Sequence, residues 1–555
     1  MRFLYSLFFL FLSFGFTSEK PNVILILTDD QAYGDMSIHG NPYLKTKYID
    51  RFAKQGVQLG HFYTSPVCTP TRASLMTGRY YYRTGVIHTS RGAAKMSGDE
   101  ITLAEHFKQN GYRTGLFGKW HLGDNYPMRP MDQGFDETVY HKGGGIGQPP
   151  DFPGSYFDPI LYKNEVRYRD EGYCTDIFFR ETINFIQKSQ EPFFIYLPLN
   201  APHTPLEISN NYTERFKDSG LKERDIALYG MIENIDENFG KLLNFLDQKS
   251  IRKNTIIIFM SDNGPQWTRY NAHLKGNKGT TYEGGIRVPC FLQWPNSIKG
   301  GKTIRTMNAH IDIFPTLIDA CQLSSSKKLL DGRSFLPQLK GESVIENRKL
   351  YFQCHRDLTP IKYRNFAVKT SSYKLLGNPS TFSSKQDRTY SAKNLELYNT
   401  QLDPFEKNNL IKEKTEIAKS LLADYEDWFD EMSQSRNFQP GWIMIDSSKE
   451  SPCYLSRYQD SSYETSYPKG WPVRINKSGR YRITILRNPH AEELDFSVTW
   501  LKSKQSVRLL KGVNSAEFNL QKGQGLLKVE LSKKDQIIPI FEKNIVGDIL
   551  IKKMD

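Results

Sequence analysis

The sequence predicts an α/β fold: a large, mixed, mostly parallel sheet flanked by helices, with a β-rich module added at the C-terminal end. Three observations lead there. Apolar strand-like runs alternate with amphipathic helical stretches through the N-terminal part of the chain. Several of those runs end abruptly in polar residues, as strands of an open sheet do. Near the C-terminus the pattern changes to the period-two alternation of half-buried strands.

In chain order, Asn22 to Leu27 is an unbroken aliphatic run that ends in Thr28-Asp29-Asp30. Tyr112 to Phe117 leads into Gly118-Lys119-Trp120-His121, and Pro192 to Leu199 leads into Asn200-Ala201-Pro202-His203. A helix follows, with Ile226, Tyr229, Ile232, Ile235, Phe239, Leu242 and Leu246 spaced by three and four. Thr255 to Met260 then ends in Ser261-Asp262-Asn263-Gly264. A single Asp after a strand is often only a helix N-cap. Two acidic endings, with Lys-x-His and His at two others, point instead to a ligand site at the sheet edge. Asp29, Asp30, Asp262 and Asn263 offer only oxygen donors, which suits Ca²⁺ or Mg²⁺ and not zinc.

The most informative run is Ser65-Pro66-Val67-Cys68-Thr69-Pro70-Thr71-Arg72-Ala73-Ser74-Leu75-Met76-Thr77-Gly78-Arg79. Cys-x-Pro-x-Arg followed by Thr-Gly-Arg resembles the signature of the type I, formylglycine-dependent sulfatases of the alkaline phosphatase-like superfamily. Gly118 to Gly123, Asn277 to Pro289, and Glu396 to Asn399 with Asp403-Pro404 extend the resemblance from about Asn22 to about Leu410. One departure is Thr71, where Ser is commoner. The resemblance implies that Cys68 is oxidised to formylglycine by a maturation enzyme, and that the aldehyde hydrate is the nucleophile. It implies calcium, with magnesium second, held by Asp29, Asp30, Asp262, Asn263 and residue 68. Arg72 then orients the hydroxyl pair, and Lys119 and Lys278 bind sulfate. His203 binds sulfate or protonates the leaving oxygen, with Lys278 the competing acid, and His121 takes the proton that expels sulfate. His141 falls where such enzymes often place another sulfate contact. Arg269, beside Trp267, Tyr270 and His273, is of a type that pairs with a second sulfate on a sugar.

The N-terminus carries one positive charge, a short apolar core and a small-x-small end, so residues 1–17 read as a signal peptide for export to the periplasm or outside the cell. That run is short for a membrane span and no second one follows. Six Cys are too few and too scattered for a disulfide framework. The net charge of +13 favours acidic partners, but its even spread argues against nucleic acid and for a polyanionic substrate. Expected units are a catalytic domain over 18–345, a smaller α+β subdomain over 346–432 implied by the resemblance, a linker over Ser433 to Pro440, and a β-rich module over 441–555. The expected activity is removal of sulfate from a sulfated poly- or oligosaccharide. A phosphonate or phosphodiester hydrolase of the same superfamily, or a catalytically silent carbohydrate-binding protein, are the alternatives. The oligomeric state is open.

Overall fold

The aliphatic runs become the centre of a ten-stranded sheet. The computed structural model describes residues 20–554 apart from 91, 149, 152–153, 343–347, 356–358, 380–390, 457–469, 487–491, 535 and 539–547. The expected signal peptide lies outside the described residues. The strands are β1 (Asn22–Thr28), β2 (Val57–Leu59), β3 (Arg113–Lys119), β4 (Glu137–His141) and β5 (Ile160–Lys163). They continue with β6 (Val166–Arg169), β7 (Phe193–Pro198), β8 (Thr255–Ser261), β9 (Cys290–Gln293) and β10 (Lys302–Ile304). Their spatial order is β10-β2-β9-β8-β1-β7-β3-β4-β5-β6. The central strands β8-β1-β7-β3-β4 are all parallel, while β9, β5 and β6 bring antiparallel pairing to the flanks.

Strand β1 shows why its sequence has no polar gap. Leu25 lies between Tyr196 of β7 and Ile258 of β8, and successive side chains feed opposite layers. Val23, Leu25 and Leu27 face the layer of helices α1 (Cys68–Thr77) and α2 (Leu103–Gln109). Ile24 and Ile26 face the layer of α3 (Cys174–Lys188) and α4 (Glu223–Gln248). Helix α1 stops at Gly78, whose left-handed backbone (φ 67°) lets its N–H bond the Ser74 carbonyl at 2.8 Å.

A four-stranded antiparallel sheet follows, formed by Leu350–Gln353, Phe366–Lys369, Tyr373–Gly377 and Leu395–Asn399. Helix α5 (Thr415–Arg436) packs on it, with the Tyr425 ring stacked 3.7 Å from that of Phe366. This sheet and helix share one continuous hydrophobic core with the α1 layer of the main sheet. The linker expected from Ser433 begins later than its composition suggested. Met432 is fully buried, and Arg436 bonds the Arg83 carbonyl, Ser97, Asp99 and Glu100, so the last helical turn is held by tertiary contacts. Asn437 and Phe438, both left-handed, end it. Beyond lies a β-sandwich: six-stranded and four-stranded sheets face each other across a core that includes Trp471, Tyr481, Phe496, Trp500 and Phe518. All six Cys are buried free thiols.

Candidate active site

The four strand ends singled out in the sequence converge. Strand β1 releases Asp29 and Asp30, β3 releases Trp120 and His121, β7 leads to His203, and β8 releases Asp262 and Asn263. Backbone bonds stitch these ends together: Asp29 N–H donates to the Ala201 carbonyl (3.1 Å) and Asp262 N–H to that of Thr28 (3.0 Å). Asp30 (φ 64°) and His121 (φ 59°) both hold left-handed backbone, a cost usually tolerated where side-chain aim matters.

Cys68 is the first residue of α1, and every residue of that helix is buried. No side chain caps the helix start, so its first-turn N–H groups favour an anion there. Burial pushes the Cys68 thiol up, although Lys119 and Lys278 oppose this. Arg72, one turn on, donates from Nε (3.2 Å) and Nη2 (2.8 Å) to Asp262 Oδ2, and from Nη1 to the Lys119 carbonyl (3.1 Å). Lys119 Nζ lies 2.5 Å from Asp29 Oδ2, and Lys278 Nζ lies 2.7 Å from Asp30 Oδ1. Asn263 Nδ2 donates to Asp30 Oδ1 at 2.7 Å. Burial opposes ionisation of Asp30, but Lys278 and His203 outweigh it and hold the carboxyl well below its usual range. Burial and the neighbouring Asp29 carboxylate push Asp262 the other way.

This donor set fits a hard divalent cation. Asp29 Oδ1 and Asn263 Oδ1 are buried acceptors with no hydrogen-bond partner, an expensive arrangement unless something positive meets them. Ligand atoms of Asp29, Cys68 and Asp262 lie within 4.8 Å of one another, as do those of Asp29, Asp30 and His203.

Three imidazoles surround this cluster. His121 Nε2 lies 2.9 Å from the Thr89 carbonyl, which can only accept. The neutral ring therefore carries its proton on Nε2 and its lone pair on Nδ1. By the same logic His203 carries its proton on Nδ1, 2.7 Å from the Thr204 carbonyl, and aims the Nε2 lone pair toward Asp30 Oδ2 at 3.7 Å. Burial, then Lys278, lowers His203 to about 3, and burial with Lys119 and Arg72 takes His121 well below neutrality. His141, the last residue of β4, is fully buried, and neither ring nitrogen has a hydrogen-bond partner. Its Nδ1 is 3.9 Å from Asp151 Oδ2.

Arg269 departs from its expected substrate contact. Its side chain is 2% exposed, held 2.5 Å from Asp35 and donating to the Asp30 carbonyl at 3.0 Å. Its charge is already matched inside the protein, so it fixes the Asp29-Asp30 turn from behind. Asp35 and Asp151 were not anticipated. Asp151 accepts the Lys142 and Gly143 N–H groups and so fastens the loop after His141. No spacing in the sequence marks it.

Comparison with known proteins identifies the family. The sulfatase family model matches residues 21–323, and the model for the N-sulphoglucosamine sulphohydrolase C-terminal region matches 273–431. N-acetylgalactosamine-6-sulfatase of Canis lupus familiaris is 31% identical over 372 residues, covering 60% of this chain and 69% of the relative. Arylsulfatase A of Homo sapiens is 30% identical over 445 residues, covering 71% and 84%. A solved structure of Ps i-CgsB in complex with k-i-k-neocarrahexaose superposes with a TM-score of 0.67 at 29% identity, covering 77% of this chain and 95% of that one. Among the described residues no helix is long and apolar enough to cross a membrane. With the family model matching more than half its length, the chain belongs to the sulfatase family of the alkaline phosphatase-like superfamily and is a sulfatase enzyme.

Proposed function

We propose that this sulfatase removes sulfate from a sulfated poly- or oligosaccharide, acting after export and after Cys68 has been converted to formylglycine by a maturation enzyme. Supporting this reading is the meeting, at the open start of α1, of Cys68 with three cations and two imidazoles over a carboxylate cradle. The relatives point the same way on substrate: one is an N-acetylgalactosamine-6-sulfatase by name, and a solved structure of another holds k-i-k-neocarrahexaose.

Asp29, Asp30, Asp262 and Asn263 would hold calcium, which supplies positive charge that lowers the pKa of a bound hydroxyl. Formylglycine would supply an aldehyde whose hydrate carries two hydroxyls, one to serve as nucleophile and one whose proton is taken as sulfate leaves. Arg72, locked on Asp262, orients residue 68, which sits one helical turn before it. Lys119 and Lys278 hold sulfate oxygens, offsetting the charge that would otherwise repel a nucleophile. His141 is a further sulfate contact, supported by its buried Nε2, which has no hydrogen-bond partner, while Nδ1 lies near Asp151. His121, with its lone pair on Nδ1, takes the proton whose loss expels sulfate. The neutral His203 tautomer has a lone pair on Nε2, which favours Lys278 as the proton donor to the leaving oxygen and His203 as a sulfate ligand.

The test is sulfate release from a panel of defined sulfated oligosaccharides by protein co-produced with a formylglycine-generating enzyme. Release should be lost in Cys68→Ala, and mass mapping should find residue 68 converted in active protein. Release from no member of the panel, faster cleavage of phosphate esters, or full activity with unmodified Cys68 would each overturn the reading.

A further inference from the structure

A second cavity, of about 720 Å³, opens at the same edge of the sheet. Strands β1, β2, β8 and β10 run in one direction, so Tyr33, His61 and Arg305, which follow β1, β2 and β10, share the edge that carries Asp29 and Asp262. The opposite wall comes from the four-stranded C-terminal sheet and the turn after it, through Lys369, Thr400 and Phe405. Three cationic side chains line the cavity, Arg287, Arg305 and Lys369, and among the described residues no carboxylate does.

The charges behind the wall do not balance either. Lys374 lies 3.0 Å from Glu283 and 2.6 Å from Glu406, and Lys369 lies 3.4 Å from Glu283. Arg287 spends its donors on the Gly60 carbonyl, at 2.7 and 3.1 Å, not on a carboxylate. Two carboxylates therefore serve three cations, and the surplus faces the cavity. Lys369 is 3% exposed and donates to Thr400 Oγ1 at 2.6 Å. Burial, partly offset by Glu283, lowers its ammonium to about 8, so a positive charge is held there at a cost that an arriving anion would relieve.

The remaining lining says what kind of anion. Phe405 offers a flat apolar face, while Ser371, Ser372 and Gln401 offer hydroxyl and amide groups. The volume falls in the range of small-molecule pockets and is far larger than a bare ion requires. We propose that this cavity is a second recognition subsite, which takes a sulfated or carboxylated sugar residue of the same glycan that is desulfated at residue 68. The inference rests on the carbohydrate reading of the active site and adds that the substrate carries more than one anionic sugar.

The test is calorimetric titration of full-length Cys68→Ala protein with a chondroitin 6-sulfate hexasaccharide, a carrageenan hexasaccharide, uncharged chitohexaose and inorganic sulfate. Arg305 is exposed at the rim, so its substitution leaves the fold intact, which the melting temperature checks. At least one sulfated hexasaccharide should bind, Arg305→Glu should weaken it about tenfold or more, and Arg305→Lys should change it little. Chitohexaose should not respond to either change. Failure of both sulfated hexasaccharides to bind, or equal affinity in Arg305→Glu, overturns the subsite. Arg305-dependent binding of sulfate alone, with hexasaccharide affinity unmoved, shows a free-anion site and overturns it too. Sulfate release by the unsubstituted enzyme is scored separately. If that fails on every ester while Arg305-dependent glycan binding persists, the catalytic reading falls and the subsite stands.

Discussion

Asp29 and Asn263 each keep one oxygen out of the hydrogen-bond network although both are fully buried. Asp29 Oδ2 meets Lys119, and Asn263 Nδ2 meets Asp30, yet the two remaining oxygens have no donor to accept from. Leaving buried acceptors unmet costs about 1–3 kcal/mol each, more for a carboxylate, and nearby Asp262 adds repulsion. A bound divalent cation removes these penalties together. Adding calcium to chelator-stripped protein should therefore raise the melting temperature by about 2–3 degrees, since saturation at a hundredfold above Kd contributes about 2.7 kcal/mol. Asn263→Leu, which keeps volume and removes the oxygen, should lose most of that rise. A melting curve indifferent to both calcium and magnesium would refute the cation site. His121 and His203 illustrate how finely tautomers are set at this scale, since a backbone carbonyl holds the protonated nitrogen of each.

Between elements, the buried charges that join the C-terminal sheet to the Glu283 turn make stability depend on pH. Lys369 has a folded pKa of about 8 against an ordinary 10.5, because burial and Lys374 outweigh Glu283. Between those values the unfolded chain binds more protons than the folded one, so stability rises with pH. The contribution is complete above 10.5 and lost as pH falls through about 8; its full size is about 3 kcal/mol. Denaturant midpoints at pH 7.5 and pH 10 should show the advantage of the unsubstituted protein over Lys369→Met growing at the higher pH. A constant difference would mean that folding does not lower the Lys369 pKa. The same elements show what the sequence could reveal. Strands β1, β7 and β8 were legible because both their faces are buried, which forces continuous aliphatic runs, and the acidic ends follow from their position at the sheet edge. The last turn of α5 was not, because Ser433 and Ser435 are poor helix signals, and Met432 burial and Arg436, through partners over 330 residues away, hold it. Asp35, Asp151 and Lys369 escaped notice for the same reason, since only the fold supplies their partners.

Across the whole molecule, the β-sandwich lies beyond residue 431, where the family models end, yet it is not a passive appendage. Met128 of the main domain is buried in the sandwich core. Glu450 accepts Asn125 Nδ2 and the Tyr126 N–H, both at 2.8 Å. Asn125 also donates to the Tyr454 carbonyl at 2.7 Å, and Trp120 Nε1 donates to the Met128 carbonyl at 2.8 Å. The loop clamped this way is the one that begins with Trp120 and His121, so the sandwich is joined to His121 through the short stretch that ends at Met128. Glu450→Ala would take the acceptor from the Tyr126 N–H, at about 1–3 kcal/mol, and leave Asn125 Nδ2 with the Tyr454 carbonyl in place of two oxygens. The expected outcome is a lower melting temperature with the sandwich unfolding as a separate, earlier transition in calorimetry. Sulfate release should fall severalfold in kcat with KM little changed, because the loop that aims His121 loosens while Lys119 and Lys278 stay in place. Glu450→Gln keeps one acceptor oxygen for the Tyr126 N–H and should recover much of both losses. If Glu450→Ala lowers stability but leaves kcat untouched, the sandwich supports the fold without steering the histidine.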